Sequence, residues 1–289
     1  MTSARDIAEL VRLPAALSVP GDALAGAAAA GTLGWRTAVL AGSSTCLYWA
    51  GMALNDYADR DLDAAERPER PIPSGRVSPQ TALRVAGGLT AAGLTLSALA
   101  GRRALAVAVP LAGTVWLYDM AAKPTPLGPV VMAAARTLDV LLGGSAAPRR
   151  ALPAALALGA HTCSVTALSR GEVHGSSPGV AGAALATTAG VAATAAGSAL
   201  RPGRPRSRVA RLASVALAGS YAYSVGRAQA EAVRTPDAPT VRRATGTGIR
   251  GMVPLQAALV ARGGKAALAA VLMAAVPAIR AAAKRISPT

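Results

Sequence analysis

Apolar stretches long enough to cross a lipid bilayer recur along the whole chain, separated by short breaks of Arg, Pro, Gly and Asp. A helix needs about 17–25 predominantly apolar residues to span the hydrocarbon core. Counting apolar length between polar breaks predicts helices at 13–32, 36–55, 79–100, 104–119, 128–147, 151–169, 178–199, 209–227 and 264–283. Pro and Gly mark most boundaries, as in "GRR" at 101–103, "KPTPLGP" at 123–129 and "RPGRPR" at 201–206. The segment 249–262 is too short to cross and is read as an interfacial or partly buried helix. Residues 228–248 read as a long polar connection. The expected fold class is all-α: a polytopic transmembrane helical bundle of about nine spans, forming one domain over residues 1–289.

Composition agrees: 52% of residues are hydrophobic and only 15% charged, where a soluble domain carries about a quarter charged. The net charge of +16 would point to nucleic acid in a soluble protein. Here the arginines sit between apolar runs, at Arg102 and Arg103, at Arg149 and Arg150, and along 201–208. Anchoring at the bilayer surface and contact with anionic lipid headgroups account for that placement. No basic stripe interleaved with aromatics occurs, which excludes nucleic acid as a partner. Cys46 and Cys163 lie inside apolar runs without a C-x-x-C and read as packed small residues. Arg5, Asp6, Glu9 and Arg12 precede a run long enough to span, so the first helix is expected to be retained.

One stretch departs from the pattern. "NDYADRDLDAAERPERPIPSG", Asn55 to Gly75, carries six carboxylates and three arginines directly after an apolar run. On a continuous helix Asp56, Asp59 and Asp63 fall within about 60° of one another, with Asn55 about 40° beyond Asp59 and Asp61 on the opposite face. Three carboxylates on one edge repel unless a cation sits between them. Mg²⁺ suits such a set, since it takes oxygen ligands and commonly joins one or two carboxylates to substrate phosphates. Arg67, Arg70 and Arg76 follow on a backbone stiffened by Pro68, Pro71 and Pro73. Guanidinium groups in that setting suit a diphosphate, or else neutralise the aspartates.

"NDYADRDLD" followed by "RPERPIPSGRVS" resembles the first aspartate-rich motif of the UbiA superfamily of intramembrane prenyltransferases. The match runs through Asn55, Asp56, Asp59, Asp63, Arg67, Pro68, Arg70, Pro71, Ile72, Pro73, Ser74 and Gly75. "VRLPAALSVPGDALAG" at 11–26 is similar to the family's first helix, with Ala where an Asn often follows the Arg-x-Pro turn. The resemblance implies a bundle around a central cavity, with Mg²⁺ holding an isoprenyl diphosphate at the polar mouth and the tail in the membrane. Its implied activity is Mg²⁺-dependent transfer of the isoprenyl group to a small-molecule or lipid acceptor that the sequence does not identify. The implied location is a bacterial plasma membrane with the motif-bearing loops cytoplasmic, although charge alone does not orient the chain. The oligomeric state is not legible.

The family's second aspartate motif is expected between the sixth and seventh spans, where the chain reads "ALSRGEVHGSSPG". Glu172 is its one carboxylate and joins the expected metal and catalytic set with Asp56, Asp59 and Asp63. Arg170 and His174 join Asn55, Arg67, Arg70 and Lys123 as expected diphosphate contacts. His174 is a poor Mg²⁺ ligand, and a polar turn that has lost its metal remains the bland alternative. Asp119 is either a replacement carboxylate or a helix cap. Arg136 and Asp139, three apart in "VVMAAARTLDVLLGG", are expected to pair on one helix face. His161 reads as a packed, hydrogen-bonded core residue, and Tyr48, Trp49 and Met52 as tunnel lining or packing.

Two other readings stand beside the transferase. One is a non-catalytic relative that binds or translocates a prenyl or lipid precursor. The other is a terpene cyclase of the same superfamily, disfavoured by 3% aromatic residues with no Phe, since successive carbocations need aromatic faces.

Overall fold

Helix is the regular structure found among the described residues, which in this computed structural model are 2–13, 19–197 and 207–286, less the side chains of 276 and 278–286. That follows from the apolar setting, where each segment must satisfy its own backbone groups. In chain order the helices are α1 (Ala4–Leu10), α2 (Pro20–Ala30), α3 (Trp35–Ala58), α4 (Arg60–Glu66), α5 (Pro79–Ala100) and α6 (Arg102–Leu117). A π turn, Tyr118–Ala122, extends α6. Then come α7 (Gly128–Gly143), α8 (Pro148–Ser169), α9 (Pro178–Gly197), α10 (Arg208–Arg234), α11 (Ala238–Arg262) and α12 (Ala266–Ile286). Among the described residues, four helices are long and apolar enough to cross a membrane: Pro79–Ala100, Arg102–Ala122, Pro148–Ser169 and Pro178–Gly197. The expected helix edges at 14–18 and 198–199, and Arg201, Arg204 and Arg206, lie outside the described residues.

Residues 228–262 depart from the expectation. The long polar connection shrinks to 235–237, and 249–262 is the second half of α11, which is 25 residues long. Hydropathy misses α11 because its buried face is made of small residues. Val241, Ala244, Thr245, Gly248, Gly251 and Leu255 recur at helical spacing and are buried, while Arg242, Arg243 and Arg250 face outward. The charges lower the average, and the face that packs is still apolar or small.

The core joins both halves of the chain. Ala25 and Ala28 of α2 and Val140 of α7 share one cluster with Leu158, Val191, Tyr221 and Leu255. His161 is fully buried within this region, as expected. Its Nε2 lies 3.1 Å from the Gly248 carbonyl oxygen and its Nδ1 lies 2.8 Å from the Tyr221 hydroxyl.

Contact between α2 and α7 is backbone to backbone. A Cβ built on Gly26 would lie 1.9 Å from the Val140 carbonyl oxygen, and one on Gly143 would lie 2.1 Å from that of Ala23. Small residues permit such approaches where apolar burial alone gives helices little reason to associate in lipid. Gly143→Leu should therefore destabilise the protein by about 3 kcal/mol, read as a lowered thermal unfolding midpoint in detergent. Gly113→Ala, where an added Cβ meets nothing within 4 Å, should leave that midpoint unchanged or raise it.

Candidate active site

The charged stretch does not continue α3 as one helix. α3 ends at Ala58, Asp59 sits between the helices with φ −86° and ψ 2°, and α4 restarts at Arg60. The three aspartates are therefore sorted into two groups instead of lining one edge. Asp56 and Asp63, both buried, converge on Arg70, whose Nη1 lies 3.4 Å from one and 2.6 Å from the other. Asp59 turns away and pairs with Lys123.

Local sequence explains how Arg70 arrives there. Arg67 precedes a proline, a position pushed out of the α region, and with φ −146° it ends α4. The chain then coils back on itself, the Ser74 hydroxyl donating to the Arg70 carbonyl at 2.6 Å. Gly75 turns it with φ +74°, a conformation that side chains disfavour. Arg76, expected beside the diphosphate, is instead claimed by α1, where it reaches Glu9 at 2.7 Å and Asp6 at 3.0 Å. The Ser3 hydroxyl and amide, with Arg76 adding to them, hold the Asp6 carboxyl down at about 2.

Sequence reasoning gave Arg12 no part in the site. The structure places its Nη2 2.9 Å from Asp56 and its Nη1 3.4 Å from the Met52 sulfur. Arg12 has φ +50°, and among the described residues it is the one non-glycine with positive φ. Such a backbone costs about 1–3 kcal/mol and persists where the surroundings demand it. The strain aims a guanidinium into the aspartate cluster.

A second carboxylate joins the group through Asn55. The π turn of α6 buries Asp119, whose Oδ1 accepts from the Asn55 amide at 3.3 Å. π turns recur at functional sites because they re-aim a side chain without ending the helix. Lys123 follows immediately, so Asn55, Asp59, Asp119 and Lys123 form one neighbourhood, next to that of Asp56, Asp63, Arg12 and Arg70.

Of these groups Arg12, Asn55 and Asp119 line one end of a cavity of about 250 Å³, and their partners Asp56, Asp59, Asp63, Arg70 and Lys123 lie behind them. Ser44, Leu47, Tyr48, Gly51, Met52 and Asn55 line it from one face of α3, a run of about 16 Å along the helix axis. Leu111, Val115, Tyr118 and Asp119 face them, and Met132, Ala135, Arg136 and Asp139 of α7 close a third side. The far wall is polar. Arg136 pairs not with Asp139, as expected, but with Asp22 of α2, which also accepts from the Gln256 amide at 2.9 Å. Asp139 accepts from the Ser44 hydroxyl at 2.8 Å, and its Oδ1 is buried without a hydrogen-bond partner. A rim of paired charges, an apolar waist and a polar inner wall thus follow one another.

The expected second motif forms the adjoining turn. Arg170 donates to the carbonyls of Thr125 and Pro124, at 2.5 and 3.4 Å, so this turn packs on the loop after Lys123. The Glu172 carbonyl accepts from Arg242 at 3.1 Å, and His174 is exposed. Among the described residues no hydrogen bond or ion pair joins Glu172 or His174 to the aspartates. Arg67 stands 4.0 Å from Asp63, half exposed at the rim.

Among the described residues no group of three His, Cys, Asp or Glu side chains stands ready to hold a metal alone. The donor chemistry nevertheless fits Mg²⁺, which is usually bound through one or two carboxylates plus substrate phosphates. Two such carboxylate pairs are present, Asp56 with Asp63 and Asp59 with Asp119. Each is bridged or flanked by a cationic side chain suited to diphosphate oxygens.

The sequence profile of the UbiA prenyltransferase family matches residues 17–170. Digeranylgeranylglyceryl phosphate synthase of Methanopyrus kandleri is 41% identical over 104 residues, 36% of this chain and 38% of its own length. The enzyme of that name from Natronomonas pharaonis is 36% identical over 149 residues, 50% of this chain and 54% of its own. The chain spans about half or less of the length of the curated relatives it matches. A UbiA homolog from Aeropyrum pernix K1, solved in its apo form, superposes with TM-score 0.64 at 17% identity, over 85% of this chain and 96% of its own. A homolog from Archaeoglobus fulgidus, solved with GPP and Mg²⁺, gives 0.59 at 14% identity, over 86% and 99%. With more than half of its length matched to the profile and the solved structures sharing its fold, the chain belongs to the UbiA prenyltransferase family.

Proposed function

We propose that the protein transfers an isoprenyl group from an isoprenyl diphosphate to an acceptor within the membrane, in a Mg²⁺-dependent reaction carried by the whole chain as one domain. The observation that carries this reading is the pairing of Asp56, Asp63 and Asp59 with guanidinium and ammonium groups beside Arg12, Asn55 and Asp119, which line the polar end of an apolar cavity. Bound Mg²⁺ would neutralise charge on the departing diphosphate. Asp56, Asp63, Asp59 and Asp119 are the residues that would hold it. Arg12, Arg70 and Lys123 are then freed to bind diphosphate oxygens, with Asn55 and Arg67 beside them at the rim. As the bond between the isoprenyl carbon and the diphosphate oxygen breaks, the apolar waist keeps water from the allylic cation. The acceptor hydroxyl attacks that carbon, and its proton passes to the departing diphosphate as the new C–O bond forms.

For the acceptor we favour a glyceryl phosphate. The relatives from Methanopyrus kandleri and Natronomonas pharaonis are named for such a product, and the inner wall here offers Arg136 and Ser44 to a polar head.

The test is diphosphate release by the purified full chain from geranyl, farnesyl and geranylgeranyl diphosphate, with a glyceryl phosphate acceptor, in Mg²⁺ and in chelator. Release in Mg²⁺ alone is expected. Asp119→Ala should cost more than Glu172→Ala, because Asp119 stands in the mouth and Glu172 does not. The reverse order would return the second site to Glu172. Binding without release for every acceptor tried would favour the non-catalytic reading.

Gly51 gives an orthogonal check on the cavity. A Cβ there would lie 3.1 Å from Val115 and 3.7 Å from Asp119, so Gly51→Leu fills the passage beneath the mouth. Turnover of geranylgeranyl diphosphate should fall by about tenfold or more, with the unfolding midpoint little changed. Unchanged turnover would remove the cavity from the reaction path.

A further inference from the structure

We propose that the end of the bundle opposite the aspartates carries two binding hollows for the anionic phosphate headgroups of membrane lipids. The first, about 440 Å³, lies where the ends of α2, α5 and α7 meet the starts of α3 and α6, and is lined by Arg36, Arg102 and Arg103. The second, about 580 Å³, lies between the α2 end, the start of α8 and the α11 end, and is lined by Arg149, Arg150 and Arg262. Among the described residues neither hollow is lined by an Asp or Glu.

The two ends of the bundle differ in how their cations are balanced. At the aspartate mouth each inward cation is matched within the protein: Arg12 and Arg70 by Asp56, Lys123 by Asp59, Arg76 by Glu9. Among the described residues no ion pair joins Arg36, Arg102, Arg103, Arg149 or Arg150 to a carboxylate. Clustered like charges raise the free energy of the fold unless an anion lies among them.

Two features select a lipid over free phosphate. Each hollow has an apolar floor beneath its arginine rim, Leu40 and Ala104 in one and Pro153 and Leu259 in the other. Trp35, 67% exposed, stacks with Arg36 at 5.3 Å beside the first hollow. An exposed Trp next to arginine is the signature of the headgroup level of a bilayer. The hollows therefore lie where phosphates of one leaflet sit, with acyl chains able to follow the helix sides.

The test uses native mass spectrometry of the full chain after incubation with equal amounts of phosphatidylglycerol and phosphatidylcholine. Up to two phosphatidylglycerol molecules per chain should be retained, about tenfold in preference to phosphatidylcholine. Arg102→Gln with Arg103→Gln should remove one, and Arg149→Gln with Arg150→Gln the other. Arg234→Gln, exposed at the aspartate end, should remove neither. The wild type should lose both lipids in high salt, a readout independent of whether the variants fold. Equal retention of the two lipids, or phosphatidylglycerol surviving all four substitutions, overturns the proposal. So does stabilisation by inorganic phosphate with no lipid retained, which would make these sites for the free anion.

Discussion

Asp56→Ala should lower the rate of Mg²⁺-dependent diphosphate release by about 10²–10³-fold, the usual loss when one preorganised charge-stabilising group is removed. Asp59→Ala should do the same, and Asp61→Ala should stay within about twofold. The geometry separates them. Asp56 is buried between two guanidinium groups, and Asp59 holds Lys123. The Asp61 side chain is 87% exposed and pairs with Arg60 at 3.5 Å, a surface pair of small energetic consequence. Removing Asp56 also leaves Arg12 without a carboxylate, so diphosphate should still bind while metal-dependent release fails. Measuring retained geranylgeranyl diphosphate beside released diphosphate separates the two effects. Equal losses from Asp56, Asp59 and Asp61 would mean that the stretch acts through bulk charge and not through the two paired sites.

The helices and the motif were legible in the sequence to different depths, for physical reasons. Apolar length marks a span when the helix is bathed in lipid, so 79–100 and 151–169 were found nearly to the residue. α11 was hidden because its packing face uses Thr and Gly against neighbouring helices, and burial against protein demands small size instead of hydropathy. Asp56, Asp59 and Asp63 stood out by spacing. Their sorting did not, because the break at Asp59 and the return of Arg70 depend on how Pro68 and Gly75 steer the backbone. Arg12 and Asp22 went unread for a different reason. Their partners lie 44 and 114 residues away, and spacing within one helix reports only on neighbours three and four apart. Asp119 was noticed but unplaced, since nothing in "YDMAAK" announces the π turn that swings it toward Asn55.

The largest stability effect is expected at the inner wall. Arg136→Met leaves the fully buried Asp22 without its cation, and an uncompensated buried charge costs about 3–5 kcal/mol. A large fall in the unfolding midpoint should follow. Asp22→Asn in the same chain should recover most of it, because the amide oxygen still accepts from Gln256 and no charge remains unpaired. Replacing both members of a buried pair is often close to neutral. Arg136 does more than neutralise Asp22, however: it also lines the cavity beside Ser44 and Asp139. The restored double variant should therefore remain slow with a glyceryl phosphate acceptor, its KM for that acceptor raised and its affinity for geranylgeranyl diphosphate unchanged. Recovery of turnover together with stability would make the pair a structural clasp between α2 and α7 and leave the acceptor without its anchor. A stable, diphosphate-binding variant that has lost its hold on the acceptor would instead place the second substrate against this wall, about 18 Å along α3 from Asp56.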